Sequence, residues 1–188
     1  MAAAMLNIPN TLTLIRIFLI PVMVLVYYLP ITWGHFAAAA IFAIAGVTDW
    51  LDGYLARTLQ QTSALGAFLD PVADKFLVCA SLLILVHLDR VNVFVALIIV
   101  GREIAISSLR EWMAQIGASG SVAVHAIGKI KTTVQMVAIP FLLYNGTLFG
   151  VIDTLQWGEW LIWAAAILTI WSMVYYLQKA LPEIKKRA

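Results

Sequence analysis

Charge is scarce in this chain. Of 188 residues only ten are acidic and twelve are lysine or arginine, 12% in all, against 63% apolar residues. A soluble domain carries about 25% charged residues, and the mean hydropathy here is +0.94. So few charges do not cover a water-exposed surface, and the chain reads as an integral membrane protein. No basic run suits a phosphate backbone, which argues against a nucleic-acid partner; a net charge of +2 decides nothing further. Cysteine occurs once, as Cys79, so no internal disulfide forms. The first ten residues, M-A-A-A-M-L-N-I-P-N, lack the basic start and cleavage site of a signal peptide. The apolar run behind them is therefore expected to stay as a span. No repeat and no second domain is visible, and residues 1–188 read as a single membrane domain.

A membrane span needs about 20 apolar residues. Six such runs are present, at residues 11–29, 34–59, 64–88, 91–115, 128–144 and 155–181. The expected fold is an all-α membrane protein of six transmembrane helices, with a short interfacial segment at residues 6–9. Asn10 is expected to cap the first helix, and Pro21 to bend it. Pro71 either kinks the third helix or starts it, with Asp70 as cap. The Gly-, Ala- and Ser-rich stretch 116–128 is expected to be a loop. Six spans put both termini on one side of the bilayer. Arg57, Lys129, Lys131, Lys179, Lys185, Lys186 and Arg187 fall there, with Arg16 and Arg110 nearby, while Arg90 alone lies opposite. Basic residues mark the cytoplasmic side, so the termini are expected there. Trp33, Trp157 and Trp160 then form an outer aromatic belt, and His35 and His87 are structural.

Four of the ten acidic residues lie between the second and third runs, at Asp49, Asp52, Asp70 and Asp74. Asp49 and Asp52 are three apart and share a helix face with Gly53 and Ala56. Gly66, Asp70 and Asp74 are four apart and form a second stripe. Antiparallel pairing of the two helices brings four carboxylates into one cleft with small-residue walls. One aspartate at mid-membrane depth costs about 2.5–3.5 kcal/mol, and like charges repel. Either some carboxylates are protonated or bound cations neutralise them. Hard divalent ions such as Mg2+ or Mn2+ take such oxygen ligands, often with phosphate oxygens completing the shell.

The full spacing, D-x2-D-G-x2-A-R-x8-G-x3-D-x3-D, places Asp49, Asp52, Gly53, Ala56, Arg57, Gly66, Asp70 and Asp74. It resembles the signature of the CDP-alcohol phosphatidyltransferases, with every position filled. The resemblance implies a two-metal site of Mg2+ or Mn2+ on the four aspartates, with Asp74 as general base. It implies that Gly53, Ala56 and Gly66 make room for the nucleotide of a CDP-lipid, that Arg57 contacts a phosphate, and that the protein is a homodimer. The segments N-I-P-N-T-L-T-L-I-R, D-P-V-A-D-K, G-R-E-I-A-I-S-S-L-R-E-W and G-K-I-K-T-T are similar to those of bacterial family members acting on CDP-diacylglycerol and sn-glycerol 3-phosphate. That implies a site at the cytoplasmic face of a bacterial inner membrane. Beyond about residue 140 only hydrophobicity is visible.

Two further polar groups stand out. Asn10, Thr13 and Arg16 lie near one face of the first helix. They read either as a capped helix with a snorkelling arginine or, by the family resemblance, as part of the nucleotide site. Arg110, Lys129, Lys131 and Thr132 flank the loop at 116–128 on the aspartate side. They read either as the positive-inside bias or as a pocket for an anionic acceptor, since arginine suits bidentate phosphate contact and lysine acts as a point charge. Arg102 and Glu103 are expected to pair with other buried groups. Two alternatives stay open: the same chemistry with another acceptor, such as an inositol phosphate, and a transporter using intramembrane aspartates as cation sites.

Overall fold

A computed structural model describes residues 7–58, 63–117 and 126–187. The order is α1 (Ile8–Tyr28), α2 (Gly34–Thr58), α3 (Ala64–His87), α4 (Val93–Gln115), α5 (Ala126–Tyr144), β1 (Thr147–Leu148), β2 (Ile152–Asp153) and α6 (Thr154–Arg187). Helices occupy all six expected places. Short turns join α1 to α2 and α3 to α4, so those pairs of helices run antiparallel. α1 packs on α2 and α3, α5 on α2 and α6, and α4 on α6. The core runs along the bundle axis through Ile20, Met23, Phe42, Leu77, Leu85, Ile99, Ile139 and Ile162.

The exterior is apolar as well. Phe68, Phe76, Leu83, Phe94 and Leu97 are at least half exposed on α3 and α4. That is the inside-out balance of a helical bundle in lipid rather than water. Among the described residues, three helices are long and apolar enough to cross a membrane: Pro9–Tyr28, Gly34–Leu55 and Thr154–Pro182. α5 contributes a shorter apolar stretch, Ile130–Tyr144. In α3 and α4 the apolar runs are broken by Asp70, Asp74 and Lys75, and by Arg102, Glu103, Arg110 and Glu111.

Several boundaries differ from expectation. The cap of α1 is Asn7, whose side chain accepts from the Asn10 backbone N–H at 2.9 Å. Proline is tolerated in the first helical turn, where its missing N–H has no partner to lose. Pro9 therefore sits inside α1, and Asn10 is helical rather than capping. Ile8 and Pro9, expected in an interfacial segment, belong to the helix, and residue 6 lies outside the described residues. α3 begins at Ala64 and is continuous through Pro71; its cap is Ser63, whose Oγ accepts from Gly66 N–H at 2.9 Å. Asp70 is therefore no cap. α5 starts at Ala126, inside the expected loop, and residues 118–125 lie outside the described set. The hairpin β1–β2 was not foreseen, and its bend has Phe149 and Gly150 at positive φ, 53° and 72°. α6 is 34 residues, about 51 Å at 1.5 Å per residue, and carries Pro182 within it.

At the hairpin end, Arg90 donates to the carbonyls of Leu142 (2.8 Å) and Leu143 (3.3 Å), closing the C-terminus of α5. His35 meets Tyr27, and His87 packs on Tyr28. Both histidines stand far from the aspartates along the helices. The opposite end gathers the start of α1, the end of α2, the start of α3, the end of α4, the start of α5 and the last turns of α6. Every candidate site residue lies in that half.

Candidate active site

The two aspartate stripes converge as their spacing predicts, and α1 supplies the group between them. Arg16 is fully buried. Its Nη1 donates to Asp49 at 2.7 Å and to Asp74 at 2.8 Å, while Nη2 pairs with Asp52. One turn earlier, Thr13 Oγ1 donates to Asp70 Oδ1 at 2.8 Å and lies 3.4 Å from Asp52 Oδ2. All four carboxylates thus touch α1. The depths agree: Arg16 lies eight residues from the start of α1, Asp49 nine from the end of α2 and Asp74 ten from the start of α3. Each is about 12–15 Å along its helix.

The carboxylates are not equally open. Asp52 keeps 3% of its side-chain surface, Asp49 35% and Asp74 42%. Asp52 is a fixed anchor, and Asp74 is the most reachable of these three. The donor set is oxygen throughout, four carboxylates and the Thr13 hydroxyl, which suits a hard cation. A positive charge is required there, and the guanidinium of Arg16 supplies one. With it in place, no group of three or more His, Cys, Asp or Glu side chains among the described residues is arranged to hold a metal ion.

Gly66 closes one wall. A Cβ built there would lie 2.6 Å from Asn10 Oδ1 and 3.2 Å from Ser63 Oγ. Ser63 Oγ also donates to Asn10 Oδ1 at 2.9 Å. The absent side chain lets α3 meet α1 at the mouth of the carboxylate cleft. Gly66→Ala is expected to push Asn10 aside and lower stability by about 1–3 kcal/mol, the usual cost of overpacking. Thermal unfolding in detergent measures it; an unchanged midpoint would mean that Asn10 moves freely.

A second polar cluster lies between α4, α5 and α6. Lys131 is 1% exposed and pairs with Glu103. Arg102 contacts Glu103 at 3.4 Å and donates through Nη2 to Ser172 at 3.1 Å. The Tyr176 ring lies 5.8 Å from the Arg102 guanidinium and 5.2 Å from that of Arg110, within cation–π range of both. Gly128 abuts the Tyr176 hydroxyl, and a Cβ there would approach it to 3.1 Å. Among the described residues, the Nε atoms of Arg102 and Arg110 and the Oε1 of Gln135 are buried without a hydrogen-bond partner.

The family model for CDP-alcohol phosphatidyltransferase matches residues 6–171. The chain belongs to this family. Among its relatives are the CDP-diacylglycerol–glycerol-3-phosphate 3-phosphatidyltransferases of Escherichia coli (strain K12) and Shigella flexneri serotype 5b (strain 8401). Each is 50% identical to it over 184 residues, covering 95% of this chain and 97% of the relative.

In this CDP-alcohol phosphatidyltransferase, Asp49, Asp52, Asp70, Asp74, Thr13, Asn10 and Gly66 come together, and Arg110 and Lys131 meet in the second cluster. Gly53 follows Asp52 on α2, half-buried. Thr132 is exposed and its hydroxyl donates to the Gly128 carbonyl at 2.9 Å, within its own helix. The side chains of Ala56, Arg57 and Lys129 lie outside the described residues. Three participants were not singled out as site residues: Ser63, Glu103 and Tyr176. Arg16 was read with Asn10 and Thr13, either as a snorkelling arginine or as part of the nucleotide site, and its carboxylate partners were not foreseen. For Arg16 the signal was the N-x-x-T-x-x-R spacing, which puts it one turn beyond Thr13. It does not snorkel, because the carboxylates of α2 and α3 meet it inside the bundle.

Proposed function

We propose that this chain transfers the phosphatidyl group of CDP-diacylglycerol to sn-glycerol 3-phosphate, giving phosphatidylglycerophosphate and CMP. Family membership, together with the half-identity to relatives named for that reaction, carries the reading. The carboxylate cleft and the cation cluster at the same end of the bundle support it.

Asp49, Asp52, Asp70 and Asp74 would hold two divalent ions, Mg2+ or Mn2+. Bound there, such ions neutralise a pyrophosphate and the charge that develops on it. To serve them the carboxylates exchange Arg16 as their partner. Asp74, open to the cleft, takes the proton from the acceptor hydroxyl. The freed oxygen attacks the phosphorus on the diacylglycerol side, and CMP departs. Asn10, Thr13, Gly53, Ala56, Arg57 and Gly66 line the nucleotide side. Arg110, Lys129, Lys131 and Thr132 form the acceptor side, where fixed cations receive its phosphate. All six helices span the bilayer of a bacterial inner membrane, with both termini and the cleft facing the cytoplasm. The acyl chains of the CDP-lipid then stay in lipid while its head reaches the aspartates. Two copies form a homodimer.

The deciding experiment is CMP release from CDP-diacylglycerol by purified protein, with and without glycerol 3-phosphate, and with Mg2+ or EDTA. Release that requires both acceptor and metal is the expected result. Release with an inositol phosphate but none with glycerol 3-phosphate would overturn the acceptor assignment. Lys131→Ala is expected to raise the KM for glycerol 3-phosphate by roughly tenfold or more, the scale of losing a charge-assisted phosphate contact. The KM for CDP-diacylglycerol should stay within about twofold. Equal rises in both constants would argue against a separate acceptor pocket.

A further inference from the structure

The second cluster contains one residue of the wrong sign for an anion pocket. Glu103 projects from α4 into the place where Lys131 of α5 and Arg102 of α4 converge. Its side chain is only 22% exposed, and Lys131 is almost fully buried. The neighbouring cation, Arg110, is joined to Arg102 through the Tyr176 ring. Among the described side chains this group holds three cations and one carboxylate. Two positive charges remain uncompensated. A phosphomonoester near neutral pH carries about −1.5 to −2. Glu103 thus offsets part of the positive charge that a phosphate entering this cluster would meet.

We propose that Glu103 is the specificity-determining counter-ion of the acceptor site: it holds Lys131 and Arg102 in place while the site is empty, and an entering phosphate has to displace it from Lys131. The inference rests on the acceptor reading above. Two buried cations, Lys131 and Arg102, beside the half-buried Arg110 and without an internal anion, would carry a large desolvation cost and bind any available anion. With Glu103 present, an incoming phosphate has to compete with a carboxylate already seated on Lys131. A monoanionic phosphodiester, such as a phospholipid headgroup, offers too little charge to do so. A monoester dianion offers enough. Glu103 does not touch the reacting atoms in this account; it acts through Lys131 and Arg102. The Nε atoms of Arg102 and Arg110, buried without a partner among the described residues, mark polar capacity in this cluster that its own side chains do not use.

The test is Glu103→Gln, which keeps shape and hydrogen bonding and removes the charge. Two readouts are taken: the KM for glycerol 3-phosphate, and the thermal shift produced by inorganic phosphate on protein without substrate. Loss of a competing internal anion should lower that KM by roughly threefold to tenfold and enlarge the phosphate-induced shift. Glu103→Asp, which retains the charge, should stay within about twofold of the parent in both. A purely structural role for Glu103 predicts the reverse, a higher acceptor KM and no gain in phosphate binding, and that result would overturn the proposal. If the Gln variant folds only in phosphate buffer, the anion has replaced the counter-ion and the proposal stands. If phosphate does not rescue folding, it falls. The thermal-shift arm needs no turnover, so it remains informative even if no CMP is released with glycerol 3-phosphate, the outcome that would sink the functional assignment itself.

Discussion

Arg16→Met should leave a protein that is stable only when a divalent cation is supplied. The substitution keeps an unbranched side chain of similar reach and deletes the one charge that Asp49, Asp52 and Asp74 share. Removing one partner of a buried ion pair typically costs about 3–5 kcal/mol, because the other charge stays behind unpaired. Here Asp49 and Asp74 are each about a third or more open to solvent, and water screens them. Most of the loss therefore falls on Asp52, which is closed, and the lower part of that range is expected. Denaturant unfolding in detergent with EDTA reads the loss. Adding Mn2+ should return most of it, since a ligand that binds only the folded state stabilises by mass action. The parent protein, which has Arg16 in place, should gain less from the same Mn2+. A variant equally unstable with and without Mn2+ would show that these carboxylates are not a cation site.

Asp70→Asn is the complementary experiment, with the largest expected effect on rate. Asp70 accepts from the Thr13 hydroxyl at 2.8 Å, and an asparagine Oδ1 accepts the same bond. The fold should hold, with stability changed by about 1 kcal/mol or less. What disappears is one of four negative charges assigned to holding the ions that offset the pyrophosphate. A loss of a few kcal/mol of transition-state stabilisation corresponds to a rate lower by on the order of a thousandfold. CMP release under saturating substrate measures it, and Asp74→Asn should fall at least as far. A rate within about tenfold of the parent would remove Asp70 from the catalytic cleft.

The aspartate stripes were legible because helix periodicity is local. Residues three or four apart share a face whatever surrounds them, so convergence needed only one antiparallel turn. The helices were legible for a related reason, since long apolar runs broken by Pro and Gly leave few other arrangements. The environment of Arg16 was not legible in the same way. Eight residues into α1, an arginine is equally able to reach water along the lipid surface. The carboxylates that pull it inward lie 33 to 58 residues away in sequence. Glu103 pairs with a buried group as expected, but which one was hidden for the same reason, since Lys131 is 28 residues away on another helix. The start of α1 was misjudged over chemistry rather than distance. Asn7 and Asn10 are equally good caps in isolation, and the tolerance of Pro9 in a first turn decided between them. The β1–β2 hairpin has only two paired positions per strand, too few for alternation to show.

The sharing of Arg16 by α2 and α3 bears on how the protein is made. α1 emerges first during synthesis, carrying an arginine whose partners have not yet been translated. α2 follows with two carboxylates, and α3 then brings Asp74, the last carboxylate that Arg16 contacts, while adding negative charge of its own. A single arginine or aspartate at the centre of a span costs about 2.5–3.5 kcal/mol on insertion scales, and less nearer the surface. Helices that enter lipid one at a time would each meet part of that cost. Helices that enter as a group would meet little of it. The first three helices together are therefore the smallest segment that contains every carboxylate partner of Arg16.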